Sequence, residues 1–125
     1  MKALVVDDSM TIRRIVVKAL QLVGISDVVE AGDGTEAVAA CGANQFTVIL
    51  MDWNMPKMSG IDALKAIRAT GNKTPVIMVT TEAEKSRVVE AIKSGANNYL
   101  IKPFSPEQLA EKVKLVLGGV PAGAA

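Results

Sequence analysis

The chain contains no histidine and a single cysteine, Cys41. No disulfide can close within it, and a zinc site built from cysteine and histidine is excluded. Any reaction it supports runs without an imidazole of its own, and any histidine chemistry must be supplied by another molecule. Charge of one sign is also missing: 14 basic and 13 acidic residues leave a formal net charge of +1. The basic excess that marks most nucleic-acid binders is absent. No apolar run approaches the roughly 18 residues needed to span a bilayer. The opening run Ala3-Leu4-Val5-Val6 stops at Asp7-Asp8 and is too short for a signal-peptide core. The expectation is a cytoplasmic protein with neither nucleic acid nor membrane as partner. What is present is 125 residues, half of them hydrophobic. That suffices for one domain with a buried core.

Strand and helix patterns alternate along the chain. Ala3 to Val6 is a short apolar run that reads as a buried strand. Ser9 to Leu22 places Ile12, Ile15, Val16, Ala19 and Leu20 at helical spacing, and Gly24 stops it. Asp27 to Ala31 is a second strand. Asp33-Gly34-Thr35-Glu36 has an N-cap carboxylate with a glutamate three residues on, opening a helix to about Gly42. Phe46 to Met51 predicts a third strand, and Ser59 caps a helix to about Ala69. Pro75 to Val79 predicts the fourth strand, with proline tolerated at its first position. Thr81-Glu82-Ala83-Glu84 has the form of a capping box and predicts a helix ending at Gly95. Tyr99 to Ile101 is the fifth strand. Ser105-Pro106-Glu107-Gln108 combines an N-cap, proline at N1 and glutamine at N3, opening a helix to about Leu117. The small residues from Gly118 to Ala125 are expected to fray, giving a domain over 1–118 and a tail over 119–125. This βα alternation predicts an α/β fold: a doubly wound, five-stranded parallel sheet of flavodoxin-like order 2-1-3-4-5.

In such sheets function lies beyond the carboxyl ends of the strands. Those ends carry Asp7-Asp8, Asp52 with Trp53-Asn54, Thr80-Thr81, and Lys102-Pro103. Strands one and three are neighbours in the predicted order, about 4.8 Å apart. Two unit charges near 4 Å repel by about 4 kcal/mol at an effective dielectric of 20. Three uncompensated carboxylates therefore call for a proton or a cation. With oxygen donors only, the candidates are Mg²⁺, Mn²⁺ or Ca²⁺. Taken singly, each aspartate is as readily a helix cap or a solvated loop residue, Thr80 a strand terminator and Lys102 a surface cation. The conjunction carries the weight: metal, ammonium and hydroxyl together suit a phosphoryl group, and a carboxylate can be its nucleophile. Asp52, lying between the other strand ends, is the candidate nucleophile.

At these residues the chain resembles the response-regulator receiver domains, most closely their single-domain chemotaxis type. The resemblance covers Lys2 to Leu117. It rests on Val-Asp7-Asp8-Ser, Met-Asp52-Trp-Asn-Met-Pro, Met-Val-Thr80-Thr-Glu-Ala and Tyr99-Leu-Ile-Lys102-Pro103-Phe104. It implies that Asp52 accepts the phosphoryl group, and that Asp8, Asp52 and the carbonyl of Asn54 ligate Mg²⁺ directly, with Asp7 acting through water. It implies that Thr80 is the switch hydroxyl, Lys102 the lysine of the site and Tyr99 an aromatic that turns inward on activation. It further implies a cis Lys102–Pro103 peptide, a histidine kinase as donor, and a motor switch or relay protein as downstream target. Lys85, Val89, Tyr99 and Lys112 are expected on the output surface. The chain would catalyse only its own phosphorylation and dephosphorylation. Departures are the short Gly71-Asn72-Lys73-Thr74 connection, Ser59 before Gly60 where an acid is common, and Thr81 where alanine is common. A larger Thr81 would narrow access to the acyl phosphate.

Other readings stay open at this point. A phosphorelay or phosphate-sink receiver would carry the same motifs. An aspartyl-phosphate phosphatase of the haloacid-dehalogenase type would have its aspartates two residues apart, not adjacent. A flavin or nucleotide binder would need a Gly/Ser/Thr-rich loop where Asp7-Asp8 stands. Cys41 is expected to be buried packing, the methionines core and loop filling, and Arg13, Arg14 and Lys18 a solvated helix face.

Overall fold

The computed structural model describes residues 1–118; the expected tail over 119–125 lies outside the described residues. The elements are β1 (Lys2–Val6), α1 (Met10–Gln21), β2 (Asp27–Ala31), α2 (Gly34–Ala43), β3 (Val48–Met51), α3 (Gly60–Ala69), β4 (Val76–Thr80), α4 (Lys85–Lys93), β5 (Asn98–Ile101) and α5 (Pro106–Leu117). The strands form one sheet in the order β2-β1-β3-β4-β5, with every pairing parallel. This is the predicted doubly wound architecture.

Strand alternation sorts the core onto two faces. Leu4, Val6, Ile49, Met51, Val76 and Met78 pack with Ala37 of α2, with Ile61, Leu64 and Ile67 of α3, and with Ala91 of α4. Ala3, Val5, Val48, Leu50, Ile77 and Val79 pack with Val16, Ala19 and Leu20 of α1 and with Leu109, Val113 and Val116 of α5. Both faces of the sheet are covered, which is why the strands read as unbroken apolar runs.

Side-chain caps fix most helix starts. Ser9 accepts from the Ile12 amide, Ser59 from the Asp62 amide and Asp33 from the Glu36 amide. Ser105 and Gln108 form the full reciprocal box. In α2 the reciprocal bond is displaced by one residue, since Glu36 accepts from the Gly32 amide at 3.0 Å. Gly24 takes φ +81° after α1, where only glycine is unstrained.

The predicted box at Thr81 is a correction. The chain from Thr81 to Glu84 is not helical, α4 begins at Lys85, and Glu84 at its N-cap makes no side-chain cap bond. The backbone of Glu82 is engaged elsewhere: its amide donates to Thr80 Oγ1 at 3.3 Å, and its carbonyl accepts from the Tyr99 hydroxyl. Those contacts hold the segment against the sheet end and delay the helix. Two strand ends also move. Phe46 and Thr47 precede β3 as a lead-in tied to Lys2, and β4 runs from Val76 through Thr80 rather than from Pro75 to Val79.

Candidate functional site

β1, β3, β4 and β5 all end on the same side of the sheet, and their ends bring the predicted polar residues together. Asp7 and Asp52 are buried while Asp8 is exposed. One carboxylate oxygen from each of the three lies within 4.8 Å of the others. Lys102 Nζ donates to Asp7 Oδ2 at 2.7 Å and to Asp52 Oδ2 at 3.1 Å. The second oxygens are also held: Asp7 Oδ1 accepts from the Ser9 amide at 2.9 Å, and Asp52 Oδ1 from the Trp53 amide at 2.7 Å. The Lys102–Pro103 peptide that delivers the ammonium is cis.

Three carboxylates lie together here, and one ammonium bonds two of them. Burial pushes the Asp7 carboxyl above the usual carboxylate range, and the Lys102 and Ser9 hydrogen bonds only partly offset it. Burial works against the Lys102 ammonium, yet its bond to Asp7 and the charges of Asp52 and Asp7 raise its pKa above that of free lysine. The cluster thus carries surplus negative charge that a cation would relieve. Its donors are all oxygen, with no thiol or imidazole near, which fits a hard divalent ion such as Mg²⁺.

Around this centre the structure arranges the other predicted residues. Thr80 is fully buried at the end of β4; its hydroxyl accepts from Glu82 and finds no acceptor for its own proton among the described residues. Tyr99 is half-buried on β5, packed against the α2–α4 side of the core. Burial and the Glu82 charge, with that of Asp52, push its phenol up to about 12. The Asn54 side chain is exposed and donates to Glu82 Oε1 at 3.0 Å. Trp53 is buried beside Asp52 with the Arg87 guanidinium 5.4 Å from its ring centre. Gly60 donates its amide to the Trp53 carbonyl at 2.8 Å, and a Cβ there would collide with the Asp52 carbonyl. Glycine at that position is required by the nucleophile candidate's own backbone.

A sequence profile of the response regulator receiver domain matches residues 3–114. The chain belongs to the response-regulator receiver family. Chemotaxis protein CheY1 of Helicobacter pylori is 50% identical over 121 residues, covering 94% of this chain and 98% of the relative. A chemotaxis protein CheY homolog of Campylobacter jejuni is 48% identical, covering 94% and 93%. Among solved structures, the receiver domain of Francisella response regulator 1452 superposes with a TM-score of 0.87 at 36% identity, covering 94% of this chain and 97% of that one. Vibrio cholerae chemotaxis protein CheY4 superposes at 0.85 with 42% identity, covering 92% and 97%.

Two residues of this receiver's site were not legible as such. Glu82 joins Asn54, Thr80 and Tyr99, yet its spacing suggested a helix cap. Arg13, expected on a solvated face, turns inward: its side chain is 16% exposed and it donates to the Asp7 carbonyl at 2.6 Å. Only its second partner, Glu30 on β2, could have signalled this, and that residue is 17 positions away. Arg14 and Lys18 are exposed as expected, and Cys41 is only partly buried. Burial still pushes its thiol above the usual cysteine range. Met55 and Met58 pack against the core as partly buried residues.

Proposed function

We infer that this receiver accepts a phosphoryl group on Asp52 from the phosphohistidine of a partner kinase, in the presence of Mg²⁺, and signals by a change of shape. The observation that carries the reading is the acid triad with the Lys102 ammonium on two of its members. Asp8, Asp52 and the Asn54 carbonyl would hold the ion directly, and Asp7 through water. When bound, the ion neutralises charge on the transferring phosphoryl oxygens. An Asp52 oxygen attacks phosphorus, the P–N bond to the donor imidazole breaks, and that electron pair returns to the donor ring. Lys102 is placed to stabilise the incoming oxygens, and Asp7 keeps the ammonium oriented. Thr80 then donates its uncommitted proton to the acyl phosphate.

That movement takes the hydroxyl away from the Glu82 amide and loosens the segment that Tyr99 holds. The phosphoryl group adds a charge of about −1.5 to −2, which biases an existing two-state equilibrium rather than creating a new fold. Lys85, Val89, Tyr99 and Lys112 lie on α4, β5 and α5 and form the output surface. The names of the relatives support a chemotaxis pathway, and the target on this reading is a motor switch or relay protein. The working unit is 1–118, acts in the cytoplasm, and turns over no substrate beyond its own acyl phosphate.

Trp53 is the only tryptophan and adjoins Asp52. Adding Mg²⁺ and then a small-molecule phosphodonor should change its fluorescence in two steps. Asp52→Asn should abolish the second. An unchanged second step in the variant would show that the phosphoryl group goes elsewhere.

A further inference from the structure

Arg13 lies in the first turns of α1 beside two exposed cations, Arg14 and Lys18. Its own side chain is largely covered, with one bond to a backbone carbonyl and one to the exposed carboxylate of Glu30. Nη1 donates to the carbonyl oxygen of Asp7 at 2.6 Å, and Nε pairs with Glu30 Oε1 at 2.9 Å. Glu30 belongs to β2, which pairs with β1 in register Val5↔Glu30 and Val6↔Ala31. The Asp7 amide donates to the Ala31 carbonyl at 3.1 Å. The carbonyl that Arg13 engages belongs to the peptide joining Asp7 to Asp8. The tilt of that peptide sets the direction in which Asp8, the exposed member of the triad, leaves the chain.

We propose that Arg13 is a positioning residue for divalent-cation binding: it clamps the Asp7–Asp8 peptide to the end of β2 and so holds the Asp8 carboxylate beside Asp7 and Asp52. The proposal rests on the reading of the triad as a cation site. Charge alone argues the other way. A guanidinium close to a cation site repels the ion, so an electrostatic account expects tighter binding when Arg13 is neutralised. Glu30 offsets that repulsion and leaves the geometric role to dominate. A planar guanidinium can meet a carbonyl and a carboxylate at a fixed angle, whereas an ammonium is a single point charge and cannot hold both in that geometry. Charge-assisted bonds of this kind are about twice as strong as neutral ones.

The test is Mg²⁺ titration of the whole chain, followed by Trp53 fluorescence well below the melting temperature. Groups standing behind metal ligands typically change affinity by roughly 10- to 100-fold. Arg13→Gln should weaken binding by roughly 10-fold, and Arg13→Lys by less. Arg14→Gln removes the same charge from the next position, where the side chain's one hydrogen bond among the described residues goes to Met10 Sδ at 3.4 Å; it should weaken nothing. Binding by Arg13→Gln as tight as wild type, or tighter, overturns the proposal, as does an equal loss in Arg14→Gln. Should Arg13→Gln fail to fold, Arg13→Lys decides, because it keeps the charge and loses the fork; wild-type affinity there overturns it. Failure of the wild-type chain to bind Mg²⁺ at all removes the cation site itself, and with it the role for Arg13.

Discussion

Tyr99 is the only tyrosine of the chain, so its ionisation can be followed without ambiguity. Its hydroxyl donates to the Glu82 carbonyl, and burial, with the charges of Glu82 and Asp52, holds its pKa near 12. An unfolded tyrosine ionises near 10. The fold therefore favours the neutral phenol. That contribution to stability is whole below about pH 10 and is lost as pH rises toward 12. An absorbance titration of the tyrosinate band, with circular dichroism marking where the chain remains folded, should give a midpoint well above 10. Glu82→Gln removes the second cause and should bring the midpoint down. A wild-type midpoint near 10 would mean a phenol open to water, and would remove Tyr99 as the link between the Thr80 end of β4 and the proposed output surface. The residue scale is also where the sequence was least informative. Asp7, Asp8, Asp52, Thr80 and Lys102 announce themselves because each terminates a strand, and strand ends can be read from hydrophobic runs. Glu82 and Arg13 act through backbone atoms of other elements, and no spacing rule reports such contacts.

The helices differ in how they begin. α5 opens with a reciprocal Ser105–Gln108 box, Pro106 at its first position and four buried residues, Leu109, Ala110, Val113 and Val116. α4 opens after Glu84 with no side-chain cap and buries only Ala91. Elements whose ends are set by their own side chains were legible: Ser9, Asp33, Ser59 and Ser105 each cap the helix the sequence assigned to them. α4 was misplaced because tertiary bonds to Glu82, not local capping, decide where it starts. The difference has a stability signature. Ser105→Ala should cost about 1 kcal/mol in urea unfolding, the usual value of a lost N-cap. Glu84→Ala should fall within about 0.5 kcal/mol of wild type, as for exposed positions without a specific bond. Amide exchange should be faster in α4 than in α5 for the same reason. A cost for Glu84→Ala equal to that of Ser105→Ala would mean that α4 has a capped start after all. An element this weakly anchored, lying against the segment that Thr80 and Tyr99 grip, is suited to respond when that grip changes.

At the scale of the molecule, the parallel order β2-β1-β3-β4-β5 turns residues far apart in the chain into neighbours, and Lys102 reaches Asp7 across 95 positions. The order followed from alternation of apolar runs and helical periods, which is why the cluster could be anticipated without any contact being seen. Its cost to the fold could not, because that depends on burial. Asp7 and Asp52 are both buried and share one ammonium, with the Asp8 carboxylate beside them. A fold that concentrates like charge in this way holds strain at its site that other interactions must offset. Asp52→Asn relieves it: the amide oxygen can still accept from Trp53, and Lys102 keeps its 2.7 Å partner in Asp7. Without divalent ions, Asp52→Asn should melt higher than wild type, by about 1 kcal/mol or roughly 4 °C for a domain of this size. Excess Mg²⁺ reverses the order. A ligand at 100 times its Kd stabilises the folded state by about 2.7 kcal/mol, a gain open to the wild-type triad and largely closed to Asp52→Asn. Paired thermal melts with and without Mg²⁺ should therefore cross. If Asp52→Asn melts lower than wild type before any ion is added, the Lys102–Asp52 bond outweighs the repulsion, and surplus charge is not what draws the cation to this site.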